Sequence, residues 1–67
     1  MNKTLTSREQ EILALIAEGQ TNKVIAARLG ISVRTVEGHR ARVMLKLHFQ
    51  GVADAVKYAI RNGLIKP

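Results

Sequence analysis

Residues 21–46 read TNKVIAARLGISVRTVEGHRARVMLK, two short amphipathic patterns joined at a single glycine. In the first, Ile25, Ala26 and Leu29 recur at the three-and-four spacing that lines one side of a helix. Gly30 suits the left-handed conformation that closes such a helix, and Ser32 is placed to cap the next. In the second pattern Val36, Arg40, Val43 and Leu47 share one face, while Arg34, Glu37, Gly38, Ala41 and Arg42 fall towards the other. A tight turn between two helices, with a polar outer side on the second, predicts a helix-turn-helix whose second helix enters the major groove of DNA. Reading Arg34, Arg40, Arg42 and Lys46 as no more than a solvated helix face leaves the turn and the cap without a reason.

Working outward, residues 1–4 (MNKT) lack periodicity and are expected to fray. Thr6 and Glu9 stand three apart, as in a capping box, before the apolar positions Ile12, Leu13, Leu15 and Ile16, with Gly19 at the far end. Thr21 caps the next helix. Leu47, His48, Phe49 and Gln50 form a connection to a last helix with Val52, Ala55, Val56, Ala59 and Ile60 on one face and Gly63 at its end. Leu64 and Ile65 are then free to fold back on the core. The expected helices cover about 6–18, 22–29, 33–47 and 51–62, an all-α, compact four-helix domain over residues 1–67 with a central helix-turn-helix. Met44 and Leu45 leave apolar surface late in the third helix, for which packing against helix four is expected.

Sixty-seven residues leave room for one small domain near the size at which a core barely suffices. There are no cysteines, and His39 and His48 have no second ligand pair near them, so apolar packing alone must hold the fold and no metal or cofactor is expected. The apolar run around Ile12 to Ala17 is far short of the ~20 residues that cross a bilayer. A soluble, cytoplasmic protein without a membrane or small-molecule partner is expected. The formal net charge is +6. Between Lys23 and Lys46 six basic residues (Lys23, Arg28, Arg34, Arg40, Arg42, Lys46) face one acid, Glu37, a local balance of +5. Glu9, Glu11 and Glu18 gather in the first helix instead. That asymmetry fits a polyanion partner. Phe49 and Tyr58 are the only aromatic residues, too few for the stacking platforms that grip single strands, which favours duplex DNA.

LTSREQEILALIAEG, then TNKVIAARLGISVRTVEGHRARVMLKL, then a last helix ending in RNGLI closely resembles the LuxR-type helix-turn-helix, and within it the DNA-binding output domain of NarL/FixJ response regulators. The likeness covers about residues 5–65, and the TVEGHRARVM wording is most similar to the FixJ branch. The resemblance implies a third helix that reads the major groove and a fourth that pairs two copies weakly on DNA. By position it implies base reading by Glu37, Gly38, Ala41, Arg34 and Arg42. It further implies phosphate binding by Asn22, Lys23, Thr35, Arg42 and Lys46, and a dimer surface of Val52, Ala53, Val56, Lys57 and Ile60. RNA polymerase is a further candidate partner. Glu37 faces two readings, acceptance from cytosine N4 or an intrahelical pair with Arg34 or Arg40. Gly38 weakens mid-helix by about 1 kcal/mol relative to alanine, which points to close backbone approach to DNA or to a neighbouring helix. His39 is expected to pack beside the reading helix. Two departures stand out: Gly51 occupies a position where many members carry a serine or asparagine cap, and His48 one where many carry glycine, so a looser third-to-fourth connection is expected.

An enzyme is not indicated, since no nucleophile–base–acid set, phosphate-cradling glycine loop or carboxylate pair stands at a recognisable spacing. A protein-interaction module would need a broad apolar face on the third helix, where the outward residues are charged or small. Region 4 of a sigma factor shares the opening and the turn but lacks the fourth helix and RNGLI. A free-standing small LuxR-type regulator is the remaining alternative to a response-regulator output domain.

Overall fold

The computed structural model describes residues 5–66; the expected fraying of residues 1–4 lies outside them. Four helices follow in order, α1 (Ser7–Ala17), α2 (Asn22–Leu29), α3 (Val33–Lys46) and α4 (Val52–Arg61), within one or two residues of the expected bounds. The starts of the first three are set by side chains that satisfy the otherwise free N–H groups of a first turn. Thr6 and Glu9 form the full reciprocal box: the Glu9 N–H donates to Thr6 Oγ1 at 3.1 Å and the Thr6 N–H to Glu9 Oε1 at 3.0 Å. Thr21 Oγ1 accepts from the Val24 N–H at 3.2 Å and Ser32 Oγ from the Thr35 N–H at 3.0 Å.

The helix ends follow one pattern. Each helix closes with an N–H reaching the carbonyl five residues back: Gln20 to Leu15, Ile31 to Ala26, Phe49 to Met44 and Leu64 to Ala59. This 6→1 bond needs a left-handed residue just before the donor. Gly30 supplies it after α2 with φ 69°. After α3 the same place is held by His48, at φ 57°. A side chain there costs roughly 1 kcal/mol, so the connection expected to be loose is closed like the others, with strain held at one residue. At α4, Gly51 provides no side-chain cap; Asp54 in the first turn reaches back instead, its Oδ2 accepting from the Gln50 N–H just before the helix at 2.8 Å.

α1 lies at the centre of the packing, touching α4, α3 and α2, while α2 and α3 pack on each other. Ile12, Leu13, Ile16, Ile25, Ala26, Val36, Val43, Ala55 and Ala59 form the core with Leu5. Leu15, Leu29, Leu47, Phe49, Tyr58 and Leu64 are packed around it, and the Phe49 and Tyr58 rings meet edge to face at 5.6 Å. On α4 Ala55 and Ala59 are fully buried, and Val52 and Ile60 keep 42% and 37% of their surface exposed. The alanines form the centre of the face, and Val52 and Ile60 lie at its edge. One expectation is corrected: Leu45 does not pack against α4; it is 76% exposed, because it lies about half a helical turn from the buried Val36 and Val43.

Candidate nucleic-acid interface

The turn between α2 and α3 is fixed at both sides. Gly30 closes α2, Ser32 opens α3, and Ile25 and Val36, both fully buried, pin the two helices to the common core. Ser32 Oγ lies 2.8 Å from Thr35 Oγ1, so the cap engages the side chain of the first turn as well as its backbone. Arg40, on the inward side of α3, donates from Nη1 to Asn22 Oδ1 at 3.2 Å and fastens α3 to the first residue of α2. The Asn22 carbonyl is thereby occupied, and its NH2 group keeps its donors for another partner.

The outward side of α3 is open. Arg34, Thr35, Glu37, Gly38, Ala41 and Arg42 are all exposed, as is Lys23 on α2, while Asn22 is half-buried. Among the described residues Glu37 forms no ion pair; the pairs found are Arg8–Glu11 and Lys46–Glu9. The carboxylate of Glu37 therefore stands unengaged amid arginines. A Cβ built on Gly38 would meet nothing within 4 Å, so no neighbouring helix requires a glycine there. His39 is half-buried with Nδ1 enclosed and without a hydrogen-bond partner, in keeping with a packing role.

Lys46 shows an interaction that the sequence reading missed. Its Nζ donates to Glu9 Oε1 at 2.8 Å, with the Glu9 side chain 3% exposed and that of Lys46 34%. One carboxylate thus serves two elements, closing the first turn of α1 and holding the last turn of α3. The Lys46 hydrogen bond above all, then the Thr6 N–H and the nearby positive charges of Lys46 and Arg42, hold the Glu9 carboxyl below the ordinary glutamate value, against the opposing effect of burial. A signal was present: Glu9, Ile12, Leu13 and Ile16 lie on one helical stripe, and a carboxylate on a buried stripe requires a charged partner. Lys46 retains two further N–H donors on its ammonium group.

The expected dimer residues lie together on α4. Val52, Ala53, Lys57 and Ile60 are exposed and Val56 is half-buried. They belong to a different helix from the outward residues of α3. Among the described residues no cluster of three or more His, Cys, Asp or Glu is arranged to hold a metal, and no helix is long and apolar enough to cross a membrane.

Comparison with known proteins agrees with this geometry. Residues 3–59 match the family described as GerE, bacterial regulatory proteins of the luxR family. The chain is 45% identical over 64 residues to the oxygen regulatory protein NreC of Staphylococcus epidermidis, covering 96% of this chain and 29% of that protein. It is equally similar to NreC of Staphylococcus aureus, of which it covers 30%. The chain spans about a third of the length of these curated relatives or slightly less. A capped, glycine-closed turn presenting an exposed basic helix is the arrangement by which a helix-turn-helix meets duplex DNA, and with the family match it identifies this chain as a member of the luxR family of bacterial regulatory proteins, a DNA-binding domain of transcription regulation and not an enzyme.

Proposed function

We propose that this domain reads duplex DNA sequence-specifically as the output module of a two-component response regulator, working in the cytoplasm where the chromosome lies. The observation that carries the reading is the outward side of α3, exposed, basic and spaced by two residues without bulk, Gly38 and Ala41. Arg34, Glu37, Gly38, Ala41 and Arg42 face the base edges. The Asn22 amide N–H groups, Lys23, Thr35, Arg42 and the free donors of Lys46 hold phosphates on either side. Glu37 accepts from a cytosine amino group and contributes preference instead of affinity, because a carboxylate near phosphates is repelled unless a base donor meets it. Two copies pair weakly through the edge of α4 when adjacent half-sites bring them together.

Selection from a pool of randomised duplexes, repeated with variants, tests the assignment. Lys23→Ala should weaken binding to every sequence alike and lower the slope of log K against log salt by about 0.9. Glu37→Ala should relax preference at one or two positions and leave binding to random DNA unchanged or tighter. Equal losses on selected and random DNA for Glu37→Ala would remove it from the base-reading set.

A further inference from the structure

Leu45 is the most exposed large apolar side chain among the described residues, at 76%. A single leucine on a surface is ordinary, but its place on α3 is not arbitrary. At about 100° per residue, Arg34, Gly38, Ala41 and Leu45 fall within roughly 60° of one another and form one row along the helix. The row lies opposite Val36 and Val43, both fully buried. Arg34, Gly38 and Ala41 are the exposed residues assigned above to the bases, so Leu45 continues the centre of the reading surface instead of sitting on its flank. From Arg34 to Leu45 the row rises roughly 16 Å, about five base steps of a DNA strand at 3.4 Å each. Gly38 and Ala41 keep the helix surface low along this row, and a shallow depression of about 470 Å³ lined by Ala41, Met44, Leu45, His48, Phe49 and Gln50 flanks its end. The apolar feature that a major groove offers at base level is the C5-methyl group of thymine.

We infer that Leu45 is a further specificity-determining residue, making an apolar contact with a thymine methyl group at the end of the site read by α3. The inference rests on the proposal that α3 reads the major groove. Lacking a donor or acceptor in its side chain, Leu45 discriminates thymine by the water it excludes from the methyl, a preference of about fourfold for one buried carbon. It leaves phosphate contacts, and so the salt dependence, unchanged. Arg34 at the other end of the row reads through hydrogen bonds, so the two ends of one helix face recognise different chemistry.

The test uses the duplex selected by the parent chain from a randomised pool, with single thymines replaced by deoxyuridine, which keeps every hydrogen-bonding group and removes only the methyl. At one position the replacement should weaken the parent about fourfold and leave Leu45→Ala unaffected. Leu45→Met, which keeps an apolar side chain of similar volume, should retain the discrimination. Since Leu45 contributes little to the core, the variants fold, as their helical circular dichroism will verify. Unchanged deoxyuridine discrimination and base preference in Leu45→Ala, with preferences still released by Glu37→Ala, would overturn the role of Leu45 and leave the reading of α3 standing. A parent chain that enriches no sequence at all would overturn both.

Discussion

Glu9 joins two parts of the chain that are 37 positions apart. Removing its charge while keeping its shape leaves the Lys46 ammonium without its carboxylate, and Glu9→Gln should lower stability by about 2 kcal/mol, the scale of a hydrogen bond to a charged group. The acid limb carries a second signature. Because the folded state holds the Glu9 carboxyl below its ordinary value of 4.5, the contribution is fully present above about pH 4.5 and is lost as the pH falls through the lower folded value. Urea unfolding measured from pH 7 to pH 2 should therefore show a shallower acid loss in Glu9→Gln than in the parent; parallel curves would show that the pair does not couple to folding. His48 makes the opposite case. Held at φ 57° where the other three helix ends use glycine, it should yield a domain up to about 1 kcal/mol more stable on change to glycine, the relieved strain of about 1–2 kcal/mol less about 0.4–1 kcal/mol for the added freedom of the unfolded chain, read as a higher urea midpoint at unchanged m-value.

At the scale of the element, α3 holds the conflict between stability and function. Gly38 lies mid-helix with open space about it, so Gly38→Ala should stabilise the free domain by about 1 kcal/mol. With α3 reading the bases as proposed, the added methyl would stand where the helix comes nearest them, and overpacking of that kind should cost about tenfold in affinity or more. Titration calorimetry on a selected duplex checks it, and an alanine variant that is both more stable and equally tight would return Gly38 to chance. The elements were legible in the sequence because local signals agreed: Thr6, Thr21 and Ser32 open helices where cap chemistry says they should, and Gly30 closes one. What was not legible were relations between elements. The Lys46–Glu9 pair depends on how α1 crosses the end of α3, and the exposure of Val52 and Ile60 on how closely two alanines let α4 approach α1. Leu45 is a different case, since helical spacing alone put it opposite Val36 and the expectation of packing on α4 overlooked that.

For the whole molecule the charge is unevenly spread, with Lys23, Arg34 and Arg42 on the exposed side of the helix-turn-helix and Glu9 and Glu11 on α1, next to Glu18 at its C-cap. The pairing surface proposed on α4 is separate and small: Val52 and Ile60 at the edge, with Ala53 and Lys57 beside them. A patch of this size falls below the ~1,200 Å² typical of stable interfaces, so the chain should sediment as a monomer and pair only on adjacent half-sites. Ala53→Lys should reduce cooperativity on paired sites and leave single-site affinity intact; a tight dimer without DNA would place the interface elsewhere. The proposed function depends on α3 and its flanks meeting a duplex. Fluorescence anisotropy of the chain on a labelled selected duplex, titrated across salt concentrations, measures this most directly. With Lys23, Arg42 and Lys46 on phosphates, log K should fall against log salt with a slope of about −2.7 per half-site, and an Arg42→Ala, Lys23→Ala double variant should lose about two-thirds of that slope. No measurable duplex affinity at low salt, or a slope indifferent to both substitutions, would contradict the account.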